Sequence, residues 1–315
     1  MRYTYLGPAG TFTESALLSV PGADSAERIP ATSVPNALER LALGEVDAAM
    51  VPIENSVEGG VSATLDAISA SEGVRIIREV LVPIRFVLVA KPGTRMEDIR
   101  TISTHTHAWA QVRGWAEETL PGVDYLPGSS TAGAAVGLLE NEHPGYEAAI
   151  CSPALLEYHP ELQVLAEDIG DNKNAVTRFV LLSRTADIPE PTGADKTTLT
   201  VPLPADHAGA LTALLEQFSV RGVNLSRIES RPTGEKMGSY AFSIDADAHI
   251  YEARMRDALR GLHRVAPEIK FLGSYPRADH QSTAPSAIHS DEAFAAAHAW
   301  VESLFPNGRP ATLRR

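Results

Sequence analysis

The chain has 315 residues, of which 44% are hydrophobic and 21% charged, and its formal net charge is −13. At about 150 residues per domain this length suggests two domains, and the composition excludes a disordered, collagenous or fibrous chain. Residues 1–184 hold 13 basic and 24 acidic side chains against 14 and 16 in the remainder, which argues against nucleic-acid binding and requires any anion site in the first part to be built locally, from an Arg or from helix N-termini.

Residues 3–6 read as a strand. The opening Met1-Arg2-Tyr3-Thr4-Tyr5-Leu6 lacks the charged and apolar regions of a signal peptide. A helix is predicted over 12–20 and another over 33–43, where Val34, Ala37, Leu38 and Leu41 recur at helical spacing. Strand 46–53, helix 61–69 and the Val/Ile-rich strands 74–80 and 84–90 follow. Then come strand 101–104, helix 108–119, strand 123–126, helix 131–140, strand 148–151 and helix 153–158. Strands 162–166 and 176–183 close the series. This alternation implies α/β structure with largely parallel sheets, arranged as two lobes, with ligands beyond the strand C-termini. No apolar run reaches the roughly 18 residues of a membrane span. The single cysteine, Cys151, excludes an internal disulfide and a cysteine-based zinc site. Together these features point to the cytoplasm.

Residues 185–195 contain two Pro and one Gly and read as a linker. Beyond it lies strand 197–201, then helix 208–221 with Leu211, Leu214, Leu215 and Phe218 on one face, ended by Gly222. Strands 223–230 and 239–245 are joined by a turn around Gly234, and helix 250–263 and strand 269–275 complete a βαββαβ, ferredoxin-like order. The rest is a tail with one helix, 292–304, and loose ends.

Several loops carry candidate chemistry. Gly7-Pro8-Ala9-Gly10-Thr11-Phe12-Thr13 joins the first strand to the first helix. It reads either as a capped turn, with Thr11 and Glu14 as a capping box, or as an anion-binding helix start. Glu54-Asn55-Ser56 stands at the end of a strand, and Ser129-Ser130-Thr131 begins a helix as an N-cap that can also hold an anion. In Thr177-Arg178-Phe179 strand alternation puts Thr177 and Phe179 on one side and Arg178 on the other. Arg178 is either an ordinary rim residue or a bidentate partner for a carboxylate. His105 and His107 have the spacing of a metal pair but lack a third ligand at a telling spacing, so no metal is expected. Hydrolase, P-loop and dinucleotide motifs are absent.

Taken in order, Gly7-Pro8-x-Gly10-Thr11-Phe12, Pro52-x-Glu54-Asn55-Ser56-x-x-Gly59, Ser130-Thr131-x-x-Ala134-Ala135, Ala149-Ile150 and Asn174-x-x-Thr177-Arg178-Phe179 resemble the monofunctional prephenate dehydratase family. Gly209-Ala210-Leu211 and Glu229-Ser230-Arg231-Pro232 resemble its regulatory ACT domain, and the likeness spans about residues 1–276. One stretch departs from the pattern: the family's Ser-His-Pro-Gln-Ala reads Thr104-His105-Thr106-His107-Ala108 here, so a contact from the Gln position would come from His107 as a donor.

The resemblance implies an α/β fold. Its parts are a two-lobed, periplasmic-binding-protein-like (type 2) catalytic domain at 1–185, a ferredoxin-like βαββαβ ACT domain at 196–276 and a tail at 277–315. It implies decarboxylative dehydration of prephenate to phenylpyruvate without cofactor or metal. The catalytic set it implies is Thr177, Arg178 and Phe179 with Glu54, Asn55 and Ser56. Thr177 positions the leaving hydroxyl, and Glu54 supplies the proton if burial raises its pKa. Substrate contacts fall to Thr11, Phe12, Ser130, Thr131 and Asn174, with Arg178 and the helix N-termini on the carboxylates. The effector is phenylalanine, held by Gly209, Ala210 and Leu211, by Asn224, Leu225 and Ser226, and by Glu229 and Ser230, in a homodimer or homotetramer. Neither nucleic acid nor a membrane is expected as a partner. Arogenate dehydratase and a non-catalytic amino-acid sensor are the alternatives.

Overall fold

The computed structural model describes residues 1–184, 187–203, 207–233, 240–282 and 284–305. By its internal contacts the chain divides into two units, Met1–Val74 with Arg78–Ala186, and Asp187–Arg315 with Arg75–Ile77.

The first unit contains two sheets. In the first lobe β1 (Arg2–Leu6) leads to α1 (Phe12–Leu18), β2 (Glu27–Ala31) to α2 (Val34–Ala42), and β3 (Ala48–Asn55) through the two-residue β4 (Gly59–Gly60) to α3 (Ser62–Ala70) and β5 (Arg75–Pro83). The second lobe holds β6 (Val87–Ala90), β7 (Thr101–Thr104), α4 (Thr106–Ala110), α5 (Arg113–Thr119), β8 (Asp124–Pro127), α6 (Thr131–Glu140), β9 (Ala148–Cys151) and β10 (Gln163–Ala166). The chain then returns to the first lobe as β11 (Val176–Ser183). Sheet order is β2-β1-β3-β11-β5 in the first lobe and β10-β6-β9-β7-β8 in the second.

The sheets are mixed rather than largely parallel. β1 runs parallel to β2 and β3, but the returning β11 runs antiparallel to β3. Likewise β6 is antiparallel to both β9 and β10. The antiparallel members are the strands by which the chain crosses between lobes, and a chain that leaves and returns must reverse direction. β2, which carries Pro30, has no counterpart in the sequence reading. As an edge strand β2 leaves one row of backbone groups unpaired, where a missing N–H costs nothing.

Alternation along the strands builds two cores around the second sheet. Leu88, Ala90, Ala148 and Ile150 face one side with Ile102 and Val112, whereas Val87, Val89, Ala149 and Cys151 face the other against α6. Cys151 is buried, and burial pushes its thiol up to about 12. It is expected to resist iodoacetamide at neutral pH in the native protein and to react once urea unfolds it. Rapid labelling of folded protein would contradict this packing.

The helix expected at 108–119 is two helices, broken at Gln111–Val112. The Asp171 carboxylate accepts the N–H groups of Gly114 and Trp115 at 2.9 and 2.8 Å, and the Asp171 N–H donates to the Gln111 carbonyl. A distant Asp thus caps the second helix, a signal no local window contains.

The second unit consists of β12 (Asp195–Pro202), α7 (Ala210–Ser219), β13 (Leu225–Pro232), β14 (Tyr240–Ala246), α8 (Ala253–Val265), β15 (Lys270–Pro276) and α9 (Asp291–Ser303). Its sheet order, β13-β14-β12-β15, is antiparallel throughout and is the ferredoxin-like arrangement. Leu199, Val201, Phe242, Ile244 and Ala246 pack with Leu214, Phe218, Met255 and Leu262 from α7 and α8. On the other face a hydrogen-bonded row crosses all four strands: Tyr275, Thr198, Asp245 and Arg227. The turn expected around Gly234 lies outside the described residues, as do 306–315 of the tail. Among the described residues no helix is long and apolar enough to cross a membrane.

Candidate active site

β3 and β11 meet so that each residue of Glu54-Asn55-Ser56 answers one of Val176-Thr177-Arg178. Ser56 and Val176 exchange hydrogen bonds, Val176 N–H to Ser56 Oγ and Ser56 N–H to the Val176 carbonyl, both at 2.9 Å. Asn55 pairs with Thr177 in register, and its Nδ2 donates to Thr177 Oγ1 at 2.8 Å. The orientation of this amide is fixed from behind, because Asn55 Oδ1 accepts the N–H groups of Val57 and Glu58 at 2.8 and 3.3 Å. One lone pair of the Thr177 oxygen is therefore taken, and its hydroxyl proton is left to donate elsewhere.

The next register pair, Glu54 and Arg178, faces the other way. Arg178 Nη1 meets Glu54 Oε2 at 3.3 Å, and Arg178 Nε meets Glu79 Oε2 at 2.6 Å. Arg178 and Glu79 are both 4% exposed. The register shifts between Arg178 and Phe179, a bulge of the kind that re-aims side chains beside functional sites.

Thr177 and Phe179 line a cavity of about 270 Å³ between the two lobes of the first unit. Asn55, Thr11, Phe12, Ser130 and Thr131 line it too, joined by Thr13, Thr32, His105, His107, Gln111 and Ser129. Phe12 meets Phe86 edge-on at 5.5 Å, and Ile84 and Pro52 extend this apolar wall. Among the described residues no Lys, Arg, Asp or Glu lines it.

Three helix starts converge here, those of α1, α4 and α6, capped by Thr11, His105 and Ser130. The Thr11 hydroxyl accepts from Glu14 N–H and donates to the Leu6 carbonyl, while the Glu14 carboxylate accepts from Gly10 N–H at 2.7 Å. The return bond of the capping box is thus made one residue before the cap. Gly10 has φ +77°, and a Cβ there would lie 2.7 Å from Leu155 Cα in the second lobe, so only Gly lets the two lobes approach at this point.

Four other expected residues fall elsewhere. Arg178 and Glu54 do not line the cavity and are engaged in ion pairs. Ser56 is exposed and tied to Val176, and Asn174 is exposed, its N–H donating to Asn172 Oδ1.

Thr13 belongs to the loop the sequence marks as a candidate anion site, whereas Gln111 and Thr32 carry no such signal and His105 is marked only as half of a possible metal pair. Gln111 is four residues beyond His107, a spacing that returns it to the same helical face. Its Nε2 donates to the His107 carbonyl at 3.0 Å, and its Oε1 is buried without a partner. His105 Nδ1 accepts the His107 N–H at 3.3 Å, so its neutral ring carries the proton on Nε2. Burial and then the neighbouring His107 lower the pKa of His105, opposed by Glu58. His107 stacks on His105 at 5.0 Å and pairs through Nδ1 with the Glu58 carboxylate.

In the second unit Gly209 caps α7 with φ 90°, a conformation that itself calls for Gly. Ala210 lines a second cavity of about 250 Å³ with Leu203, His207, Ala213, Leu214 and Val265. Gly209, Leu211, Asn224, Leu225, Ser226, Glu229 and Ser230 are not among its lining residues. Asn224 Nδ2 donates to Asp247 Oδ2 at 2.7 Å, and Glu229 lies 3.6 Å from Arg227.

The family model for prephenate dehydratase matches residues 3–187. A prephenate dehydratase of Amycolatopsis methanolica is 40% identical over 304 residues, 96% of this chain and 97% of its own length. The crystal structure of the Arthrobacter aurescens prephenate dehydratase in complex with L-Phe is 63% identical, with a TM-score of 0.93 over 97% of this chain and 100% of that one. A structure described as a novel type of quorum-quenching acylase, GqqA, is 28% identical, with a TM-score of 0.75 over 88% of this chain and 98% of that one.

Proposed function

The chain belongs to the prephenate dehydratase family, and from that premise we propose that it converts prephenate to phenylpyruvate, carbon dioxide and water in the cytoplasm, for phenylalanine synthesis. The observation that carries this reading is the Asn55–Thr177 pair on the wall of the interlobe cavity. In the reaction the bond from the ring to its carboxylate breaks. The electron pair moves through the ring, and the ring hydroxyl is expelled, taking up one proton to leave as water. Thr177 donates a hydrogen bond to that leaving oxygen, since Asn55 holds the Thr177 oxygen from the other side. His105, with its proton on Nε2, is a second donor in the cavity, and Gln111 Oε1 is an acceptor for a substrate hydroxyl.

The substrate is a dianion, yet among the described residues no cationic Arg or Lys lines the cavity. Its carboxylates are met by the helix starts of α4 and α6 and the hydroxyls of Ser129, Ser130 and Thr131 beside them, the start of α1 being occupied by the Glu14 carboxylate. This arrangement suits the chemistry. A cation fixed to the departing carboxylate would stabilise bound substrate more than a transition state whose charge has moved into the ring. Phe12, Phe86 and Phe179 flank the ring as it becomes aromatic. Arg178 acts as a strut that fixes Glu54 and Glu79 behind the site rather than as a clamp on substrate.

We further propose that the βαββαβ unit is an ACT domain through which L-phenylalanine inhibits the enzyme, using Gly209, Ala210, Leu211, Asn224, Leu225, Ser226, Glu229 and Ser230. The 63% identical relative carrying L-Phe supports this reading. These residues gather at the start of α7 and along β13, an edge strand with open backbone groups and an exposed Ile228. Such an edge favours assembly into a homodimer or homotetramer. Inhibition requires phenylalanine to bind a less active state more tightly.

The test is phenylpyruvate formation from prephenate, read by absorbance in alkali, with and without L-phenylalanine. Turnover that phenylalanine lowers is the expected result. No turnover by folded protein would overturn the activity, and turnover indifferent to phenylalanine would remove the effector. Faster conversion of arogenate would reassign the substrate.

A further inference from the structure

Glu58 and His107 come from opposite sides of the cavity. Glu58 lies in the turn between β3 and β4 of the first lobe, and His107 is the second residue of α4 in the second lobe. The His107 ring meets the Glu58 carboxylate through Nδ1. The Glu58 N–H in turn donates to Asn55 Oδ1, as does the N–H of Val57, and Asn55 Nδ2 donates to Thr177 Oγ1. A continuous series of contacts thus runs from α4 of one lobe to the hydroxyl assigned to the leaving group in the other. The family resemblance gives His107 only a donor's contact from the position where the family pattern has Gln, and assigns no role to its pair with Glu58.

We propose that His107 is a positioning residue. When the lobes come together it holds Glu58, and Glu58 fixes the turn whose N–H groups set the Asn55 amide. Asn55 then presents Thr177 with its proton free for the leaving oxygen. The inference rests on the prephenate dehydratase reading and adds a requirement that both lobes meet before the hydroxyl is set. His107 acts through Glu58 and Asn55, so its contribution shows in kcat rather than in KM.

The experiment is a kinetic cycle with prephenate on wild type, His107→Ala, His107→Gln, Asn55→Ala and the double variant His107→Ala/Asn55→Ala. The His107 side chain is 67% exposed, so the His107 variants are expected to melt with wild type. His107→Ala should lower kcat roughly 2- to 5-fold, the scale of an exposed ion pair's coupling, with KM unchanged. His107→Gln, which keeps an N–H donor for Glu58, should recover most of that loss. In the Asn55→Ala background, His107→Ala should cost nothing further. An equal loss in both backgrounds would overturn the inference, as would an unchanged kcat. A rise in KM in both backgrounds would make His107 a direct substrate contact instead. Any of these results in an active wild type leaves the dehydratase reading standing. A folded wild type that does not convert prephenate removes that reading and the relay with it.

Discussion

Replacing Arg178 with Met is expected to destabilise the first unit by about 3–5 kcal/mol while leaving KM for prephenate near its native value. The Arg178 and Glu79 side chains are 5% and 1% exposed and meet at 2.6 Å, with Glu54 at 3.3 Å on the same guanidinium. Removing the cation takes the guanidinium from a carboxylate held in the interior, and the cost is mainly that of a buried charge with less compensation. A melting temperature lower by on the order of 10 °C is the corresponding readout. Adding Glu79→Leu should return much of the loss, because it removes the buried charge that Arg178 compensates. A substrate clamp would behave differently: Arg178→Met would then melt close to wild type and raise KM.

Thr177→Val carries the largest expected effect on chemistry. Valine keeps the shape of threonine and removes only the hydroxyl. kcat should fall by about 10²- to 10⁴-fold, the range for losing a positioned donor in a proton-transfer step, with little change in KM. Thr177→Ser keeps the hydroxyl and is expected to retain most of the rate. Thr177 is 7% exposed and sits in register with Asn55, so circular dichroism must show the Val variant folded before its rate is read. A folded Thr177→Val enzyme with near-native kcat would remove the hydroxyl from the mechanism.

Much of this site was legible in the sequence because it depends on local period and local caps. Alternation alone separated Thr177 and Phe179 from Arg178, and the caps at Thr11 and Ser130 follow from residue type before an apolar helical run. Helix 131–140 and strands 148–151 and 176–183 appear at the bounds read from the sequence. What Arg178 does was not legible. Its partner Glu79 is 99 positions away, and its register against Glu54 depends on a bulge set by the tertiary fold. The same holds for the break after α4, which Asp171 imposes from 57 positions along the chain. A lone glutamine in a helical run looks like surface, so nothing local in the sequence marks Gln111. Only its unpartnered buried oxygen marks it. The sheets were expected to be largely parallel because alternating strands and helices suggest it, but a two-lobed chain must cross back, and β11 does so antiparallel to β3.

The most direct measurement of the central claim is a crystal structure of the enzyme with phenylpyruvate bound. The product's ring is expected among Phe12, Phe86 and Phe179, its carboxylate at the helix starts capped by His105 or Ser130, and the Arg178–Glu79 pair intact behind the site. Product bound through Arg178, with the Glu79 pair broken, or bound outside the cavity lined by Thr177, would contradict it.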